Sequence, residues 1–325
     1  MAKIAVLDLK GPVHFGVREE SLTRIRPLGG SDLLFSGIVN CFRLLFGEKE
    51  TEEFLAAFHP GEEPPLLLSS LFPVVEERGK EPLYFLPRPL SLDLTPYFPE
   101  RKEAKKIAFL PAEFLRRLAE EGELPDGERR GPFYFPTGEG REIFWEEERP
   151  RVALDAITSA SSIYYASVTR FAPGVCLYFF WQAARGWEEK IKAALRLLGD
   201  EGLGGERSYG LGGFVVKDAD RSPFPWLAAE EDCSWLLLSG FSPAEKEKDL
   251  AGSLVAWGWR EEGGYLYSLR DTGRKRQRCL LLGEGSVFKK RVVGRLVDVT
   301  PAGFGEHRVY RYGYAYLLPW REVKR

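Results

Sequence analysis

The chain has 325 residues, of which 44% are hydrophobic and 29% are charged, and its formal net charge is −2. This composition is typical of a globular protein, and no run reaches the roughly 18 apolar residues that a membrane-spanning helix needs. The near-neutral charge argues against a generic nucleic-acid coat protein, although net charge averages over a patchy surface.

The length is about twice that of a typical domain, so we expect two domains. The first residues, MAKIAVLDLKG, are interrupted by Asp8 and lack the pattern of a signal peptide, which predicts a cytoplasmic protein with no membrane partner. The four cysteines are scattered without a C-x-x-C pair, and the three histidines are dispersed. We therefore predict no metal site and no cofactor.

The first elements are a strand, an arginine-bearing loop and a helix. KIAVLDLKGPVHFG predicts the strand, which ends at or shortly after Gly11. The loop that follows contains Arg18, Arg24 and Arg26. In GGSDLLFSGIVNCFRLLFG, Ser31 is the predicted N-cap, Asp32 favours the first turn, and Gly47 is the predicted end of the helix.

The middle of the chain is rich in strand patterns. PLLLSSLFPV and EPLYFLPRP predict two further strands, and a proline-rich, charged insertion follows from about residue 87 to 150, with one short helix at PAEFLRRLAEEG. RVALDAITSASSIYYASVTRFAPGVCLYFFWQ then predicts a strand, a small polar tip and a strand, which together form a protruding β-hairpin at about 151–181.

GWEEKIKAALRLLGD places apolar residues at helical spacing from Trp187, with Gly199 at its predicted end, and FVVK predicts the next strand. The resulting β-α-β-β-α-β order predicts a ferredoxin-like (RRM-like) domain over residues 1–217, with the insertion and the hairpin inside it. Residues 218–325 are rich in strand patterns and predict a second, degenerate ferredoxin-like domain. The fold class is therefore α+β.

The stretch GLGGERSYGLGGF, which begins at Gly202, places six glycines around Arg207 and Ser208. Its spacing fits neither a dinucleotide fingerprint nor a P-loop, and it lies between a helix and a strand, the reverse of a Rossmann turn. A glycine cluster implies positive φ angles or a close approach of the backbone to another group. A bound partner would therefore meet backbone N–H groups and Arg207; a glycine-rich connection without a ligand is the alternative.

Positive charge is concentrated in the C-terminal part, in RDTGRKRQRC and FKKRVVGR. These segments favour an anion-binding face and solvated strand edges about equally.

Several of these segments, taken in chain order, resemble the RAMP superfamily of CRISPR proteins, and most closely the family of the fourth subunit of the type III-A Csm complex. They are GPVHFG, GGSDLLFSGIVN, RVALDAITSASSIYYASVTRF, GVCLYFF, GLGGERSYGLGGF and YRYGYAYLLP. The resemblance covers both ends and the middle of the chain and leaves the insertion at 87–150 unmatched. It implies two ferredoxin-like domains and a non-catalytic RNA-binding subunit.

In this family the subunit holds the repeat-derived 5′ handle of the CRISPR RNA (crRNA) and contacts the large polymerase-like subunit and the adjacent backbone RAMP subunit. The glycine loop lies against the crRNA backbone, where amide donors suit phosphates without reading bases. The RNA-binding residues that the resemblance and the loop together predict are His14, Arg18, Arg24, Arg26, Ser31, Gly202, Gly204, Gly205, Arg207, Ser208, Tyr209, Gly210 and Gly212.

A thumb hairpin in such proteins pushes into the duplex of guide and target RNA. The matching positions here are Asp155, Thr158, Ser159, Tyr164 and Tyr165. Ala156 and Ser159 stand where relatives often have arginine and glycine, so the sequence departs from the family at the tip.

Three alternatives stay open. The equivalent subunit of a type III-B complex has similar motifs. A metal-independent RAMP endoribonuclease would use His14 as general base to process CRISPR precursor RNA, but the sequence shows no second histidine near it. A nucleotide-using enzyme is suggested only by the glycine loop. We predict no catalytic residue.

Overall fold

The computed structural model describes residues 3–16, 22–154, 161–221, 223–224, 233–247, 249–250, 252–267 and 272–323. Its α-helices are α1 (Ser31–Ala56), α2 (Arg101–Lys106), α3 (Ala112–Glu121) and α4 (Glu188–Glu201). Short 3₁₀ helices span Thr95–Tyr97, Arg207–Tyr209 and Glu245–Glu247. Within these ranges, no helix is long and apolar enough to cross a membrane.

The strands before residue 222 are β1 (Lys3–Leu9), β2 (Leu66–Leu68), β3 (Phe72–Val75), β4 (Leu83–Pro87), β5 (Phe109–Pro111), β6 (Gly127–Arg130), β7 (Phe133–Pro136), β8 (Phe144–Leu154), β9 (Ser161–Phe171), β10 (Val175–Ala183) and β11 (Phe214–Arg221). The later strands are β12 (Ser234–Leu237), β13 (Leu254–Ala256), β14 (Trp259–Glu262), β15 (Tyr265–Tyr267), β16 (Thr272–Lys275), β17 (Cys279–Leu282), β18 (Val287–Phe288), β19 (Gly294–Asp298), β20 (Tyr310–Tyr314) and β21 (Leu317–Trp320). The predicted α+β class is confirmed.

A nine-stranded sheet forms the centre of the molecule, in the order β11-β1-β10-β3-β4-β5-β7-β6, with β2 also paired to β10. β1 runs antiparallel to both β10 and β11, and β10 runs antiparallel to β3. Along the chain, β1, α1, β3, β10, α4 and β11 alternate as β-α-β-β-α-β. The description of the chain as two ferredoxin-like domains stays a prediction.

The segment predicted as an insertion within the first domain contributes strands to this sheet. β5, β6 and β7 extend it beyond β4, and the predicted helix in the segment is α3. β8 begins at Phe144, inside the predicted insertion, and pairs with β9 from Phe144↔Phe171 to Leu154↔Ser161. The hairpin is therefore β8–β9, and β10 belongs to the central sheet. The residues of β8 are charged and largely exposed, so they lack the apolar pattern by which a strand is recognised in a sequence.

Both faces of the central sheet are buried. In β1, Ala5 and Leu7 face a core built with α1 and α4, while Ile4 and Val6 face a second core. The second core contains apolar residues of α3 and of the C-terminal strands β12, β18 and β21. Burial on both faces explains why the apolar residues of β1 alternate only in part.

The C-terminal part also enters the first core through β20. The Tyr312 ring lies 5.1 Å from that of Phe35 on α1. Its hydroxyl accepts a hydrogen bond from the Leu68 N–H at 2.9 Å and donates one to the Leu66 carbonyl at 3.1 Å. Burial raises the pKa of Tyr312 well above its usual value. Residues from both ends of the chain therefore share one core.

α1 differs from its prediction at both ends. Gly30, rather than Ser31, is the N-cap, and the helix resumes after Gly47 and runs to Ala56. Gly47 breaks it with φ 83° and ψ −178°, and the Thr51 hydroxyl donates a hydrogen bond to the Gly47 carbonyl at 2.7 Å. Packing of the residues after the break, including buried Phe54, continues the helix beyond the glycine.

α4 also extends beyond its predicted end. Gly199 lies inside the helix, where an added Cβ would be 2.6 Å from the Phe214 carbonyl oxygen. Gly202 is the C-cap, with φ 85°. Gly199 is thus explained by the close approach of α4 to β11 and not by helix termination.

Gly47→Ala tests the break in α1. The backbone region that Gly47 occupies is almost restricted to glycine, and an added Cβ meets nothing within 4 Å, so the cost is backbone strain alone. We expect the free energy of unfolding to fall by about 1–3 kcal/mol in denaturant titrations. Gly11→Ala is the control, because that Cβ also meets nothing within 4 Å and Gly11 has no positive φ. Equal stability of the two variants would contradict the interpretation.

Candidate nucleic-acid interface

A cleft of about 1130 Å³ lies between the N-terminal and C-terminal parts of the chain. One wall is formed by residues 14–16, the start of α1 and residues 202–208 of the glycine loop. The other wall is formed by residues 262–267 and 306–311, with Gly273 and Arg276. The carboxylates Glu48 and Glu52, which follow the break in α1 at Gly47, also line the cleft.

The glycine loop packs closely on the end of the first strand segment. Gly204 has φ 103°, and an added Cβ would lie 2.5 Å from the His14 carbonyl oxygen. The Gly205 N–H donates a hydrogen bond to the same oxygen at 2.9 Å, and the Gly212 N–H donates one to the Pro12 carbonyl at 3.0 Å. The glycines predict a close approach of the loop backbone to another group. At these positions that group is the backbone of residues 12–14 of the same chain.

This packing leaves residues 206–210 as a crest on the loop. Glu206 and Gly210 adopt left-handed conformations on either side of the 3₁₀ turn Arg207–Tyr209. The Arg207 guanidinium lies 4.1 Å from the centre of the Tyr267 ring on the opposite wall. The crest therefore reaches across the cleft to the opposite wall.

Tyr209 points away from the cleft towards the β8–β9 hairpin. The Arg151 guanidinium lies 3.9 Å from the centre of its ring. A hydrogen bond with Tyr209 raises the pKa of Tyr164 on β9. These contacts link the glycine loop to the part of the hairpin towards its tip, where Arg151 pairs with Tyr164.

His14 is 5% exposed and lies under the loop. Its Nδ1 is 2.8 Å from the Ser167 carbonyl oxygen on β9. Because a carbonyl only accepts, Nδ1 carries the proton and donates this bond. Its Nε2 side faces the backbone at Gly16 and Gly205. His14 thus connects the loop to the hairpin strand.

A buried ionic network forms the floor of the cleft. Asp32, at the start of α1, is ion-paired with Arg311 of β20, and the Arg260 Nη2 lies 3.4 Å from the carboxylate. Burial alone would raise the pKa of Asp32, but the guanidinium groups outweigh it and hold the pKa at about 2. Asp32 also complements the α1 dipole, so the helix N-terminus is already neutralised.

Two further carboxylates complete the network. Glu262 lies 2.5 Å from Arg26 and 2.6 Å from Arg260. Glu284 lies 2.5 Å from Arg260 and accepts a hydrogen bond from the Ser70 hydroxyl. Burial, together with the charge of Asp32, raises the pKa of Glu262. The network therefore joins α1, β14, β20 and the loop before α1.

The cleft gathers part of the predicted RNA-binding set. The predicted residues that line it are His14, Arg26, Gly202, Gly204, Gly205, Arg207 and Ser208. The described residues of the set that lie outside its lining are Arg24, Ser31, Tyr209, Gly210 and Gly212.

Ser31 is fully buried and is the clearest correction within that set. Its hydroxyl accepts a hydrogen bond from the Gly240 N–H at 3.0 Å, and its own N–H donates to the Ser70 hydroxyl at 2.9 Å. It therefore joins the two halves of the chain instead of facing a ligand.

The remaining predicted positions belong to the hairpin or lie outside the described residues. Those outside are Arg18, Asp155, Thr158 and Ser159. Tyr164 and Tyr165 lie on β9, where Tyr165 is 53% exposed. Tyr165, Val152 and Ile163 form one exposed apolar face of the hairpin.

Sequence reasoning did not single out most of the residues of the C-terminal wall. Those it missed are Tyr265, Tyr267, Tyr310 and Arg311. The basic stretch RDTGRKRQRC signalled this wall, and it contains Arg276. The tyrosine positions could not be predicted from local sequence, because their strands are short and the residues that they face across the cleft are distant in sequence.

Comparison with known proteins agrees with the resemblance drawn from the motifs. Residues 230–320 match the family model of the CRISPR Csm4 C-terminal domain. The CRISPR system Cms protein Csm4 of Thermococcus onnurineus is 29% identical over 307 residues, which cover 90% of this chain and 92% of the relative. The protein of the same name from Methanocaldococcus jannaschii is 23% identical and covers 98% of this chain and 97% of the relative.

A solved structure with a similar fold is the Csm3-Csm4 subcomplex of the type III-A CRISPR-Cas interference complex. The matched chain has a TM-score of 0.70 at 20% identity, with 98% of this chain and 100% of that chain covered. A chain of a Csm1-Csm4 cassette in complex with AMPPNP has a TM-score of 0.60 at 22% identity, with both chains fully covered. The predicted resemblance to the fourth subunit of the Csm complex is confirmed.

Asp32→Asn tests the network. The variant leaves Arg311 buried without its carboxylate, so we expect the free energy of unfolding at pH 7 to fall by about 3–5 kcal/mol. Because the pKa of Asp32 is lowered from 3.8 to about 2, its stabilisation is present above pH 4 and is lost as the pH falls through 2. The difference from wild type, measured by denaturant titration, should therefore shrink between pH 5 and pH 2.5.

Glu53→Gln is the control on the same helix, since the exposed Lys49–Glu53 pair at 4.0 Å should contribute less than about 1 kcal/mol. A pH-independent loss in Asp32→Asn, or a loss no larger than in Glu53→Gln, would contradict the role of Asp32.

Proposed function

We propose that this chain is the Csm4 subunit of a type III-A CRISPR Csm complex, built from two ferredoxin-like units, and that its cleft binds the 5′ handle of the crRNA. The observation that carries the proposal is the cleft itself, in which the glycine loop faces a wall with three arginines and three tyrosines and meets it at Arg207 and Tyr267. The similarity to Csm4 proteins over most of the chain supports it.

The chemistry of the cleft suits single-stranded RNA. Arg207 presents a guanidinium, which binds phosphate through directed hydrogen bonds. Tyr265 and Tyr267 are each 47% exposed and offer flat faces for nucleobases. The Arg207 guanidinium stacks on the Tyr267 ring, so a nucleobase on this ring would compete with the stack or extend it.

The protein partners follow from the relatives. Solved structures place Csm4 with Csm3 in one assembly and with Csm1 in another. We propose the corresponding partners for this chain, a backbone RAMP subunit and the large polymerase-like subunit. Target RNA would lie near the β8–β9 hairpin, whose apolar face is exposed at Val152 and Ile163.

We propose that the subunit is non-catalytic. The Nδ1 of His14 is committed to the Ser167 carbonyl, and the ring is 5% exposed beneath the glycine loop. A general base needs to reach the proton that it removes, and this placement favours a positioning role for His14. All four cysteines are free thiols, as expected for action in the reducing cytoplasm.

Arg207→Ala tests the RNA-binding crest. We expect the affinity for handle-bearing crRNA, measured by fluorescence anisotropy with the full chain alone and with the large subunit, to fall about tenfold, because a charge-assisted contact contributes about 1.5–3 kcal/mol. Arg196→Ala is the control, since Arg196 is an exposed arginine on α4 outside the cleft. Equal binding by both variants, or no preference for RNA that carries the handle, would count against the proposal.

Incubation with CRISPR precursor RNA tests the non-catalytic role. We expect the RNA to stay intact on a denaturing gel, in the presence and absence of EDTA, with wild-type protein and His14→Ala alike. His59→Ala controls for the loss of a histidine elsewhere. Metal-free cleavage that disappears only in His14→Ala would establish the endoribonuclease instead.

A further inference from the structure

Arg276 lies on the C-terminal wall of the cleft without a carboxylate partner among the described residues. Its Nη2 contacts only the Gly263 carbonyl, at 3.5 Å, and its Nε is buried without a hydrogen-bond partner. The neighbouring Arg311 donates to the same carbonyl oxygen, and its Nε is likewise buried without a partner. Two guanidinium groups therefore converge on one turn.

The charges around this turn do not balance. Within the described part of the chain, the network contains four arginines and three carboxylates, namely Arg26, Arg260, Arg276 and Arg311 with Asp32, Glu262 and Glu284. The three other arginines each have a carboxylate within 4.0 Å. The excess positive charge is thus located at Arg276, where the network meets the cleft.

This position is electrostatically unfavourable for a guanidinium group. Burial, together with the charge of Arg311, lowers the pKa of Arg276 to about 10. A guanidinium in such a place is stabilised when an anion binds it, since the new charge partner offsets the lost hydration.

The turn brings its backbone close to the two guanidinium groups. Gly264 has φ 107°, and a Cβ added there would lie 3.2 Å from the Arg276 Nη2 and 3.9 Å from the Arg311 Nη2. Because Gly264 has no side chain, the Arg276 guanidinium is not crowded on the side where Gly264 and Arg276 line the cleft.

We propose that Arg276, supported by Arg311 and the Gly263–Gly264 turn, binds a backbone phosphate of the RNA strand. The strand would then be held from the C-terminal wall as well as by the glycine loop. The proposal rests on the proposed function, since it requires RNA in the cleft, and it adds a specific phosphate site on the second wall. Arginine suits this role because its planar fork matches two phosphate oxygens.

Arg276→Gln tests the site, with Arg278→Gln as matched control. Arg278 is two residues further along the same segment, is 59% exposed, lies 3.5 Å from Glu261 and is outside the lining of the cleft. We expect Arg276→Gln to bind handle-bearing crRNA about tenfold more weakly, as for one charge-assisted contact. The slope of log K against log salt should become shallower by about 0.7, the value for one phosphate contact to a single strand.

Thermal unfolding separates binding from folding. Because Arg276 lacks a carboxylate partner, Arg276→Gln should unfold at the same temperature as wild type or higher. Inorganic pyrophosphate should raise the unfolding temperature of wild type and of Arg278→Gln but not that of Arg276→Gln. A lower unfolding temperature for Arg276→Gln with an unchanged salt slope would show a structural role and overturn the proposal.

The outcomes distinguish this site from the function on which it rests. Wild-type RNA binding that Arg276→Gln leaves unchanged would overturn the phosphate site and leave the proposed function standing. Pyrophosphate could stabilise wild type but not Arg276→Gln while wild type, alone or with the large subunit, binds no RNA. That result would support an anion site and refute the RNA function. If ATP raises the unfolding temperature more than pyrophosphate does and also displaces RNA, the site binds a free nucleotide. If wild type neither binds RNA nor is stabilised by pyrophosphate, both the phosphate site and the proposed function are refuted.

Discussion

The buried ion pair between Asp32 and Arg311 is the contact on which the cleft depends. It joins residues 279 positions apart, one at the start of α1 and the other on β20. Removing both charges from water costs several kcal/mol per ion, so such a pair needs further partners, and Arg260 and Glu262 provide them. With the pair in place, the two walls of the cleft have a defined separation.

β20 connects this network to the apolar core. Its residues alternate, so that Tyr312 and Tyr314 face the core with α1 while Arg311 faces the ionic network. The tyrosine hydroxyls bond backbone groups of the N-terminal half, including the His59 carbonyl at 2.9 Å from Tyr314. Within the Y-R-Y-G-Y pattern that contributed to the family resemblance, Tyr312 and Tyr314 are therefore structural, whereas Tyr310 and Arg311 line the cleft.

The glycine loop lies between a helix and a strand, as the flanking sequence predicted, and it lines the cleft. Its predicted contact with RNA stays a prediction. Several of its glycines are required because the loop packs on residues 12–14 of its own chain, which the pattern does not specify. Ser31, predicted to face RNA from its sequence position, is instead buried by Gly240 and Ser70, because a contact between distant segments outweighs local capping preference.

The sequence by itself determined the α+β class, α3 and most of α1 and α4, the location of the glycine loop and the family resemblance, since these depend on local periodicity and on short motifs. Only the tertiary structure decided that the supposed insertion extends the central sheet, that α1 continues beyond Gly47, and that Arg276 and Tyr267 face the glycine loop. The reason is physical: these features depend on pairing, burial and charge between residues far apart in the chain, and local sequence carries no record of which distant segment becomes a neighbour.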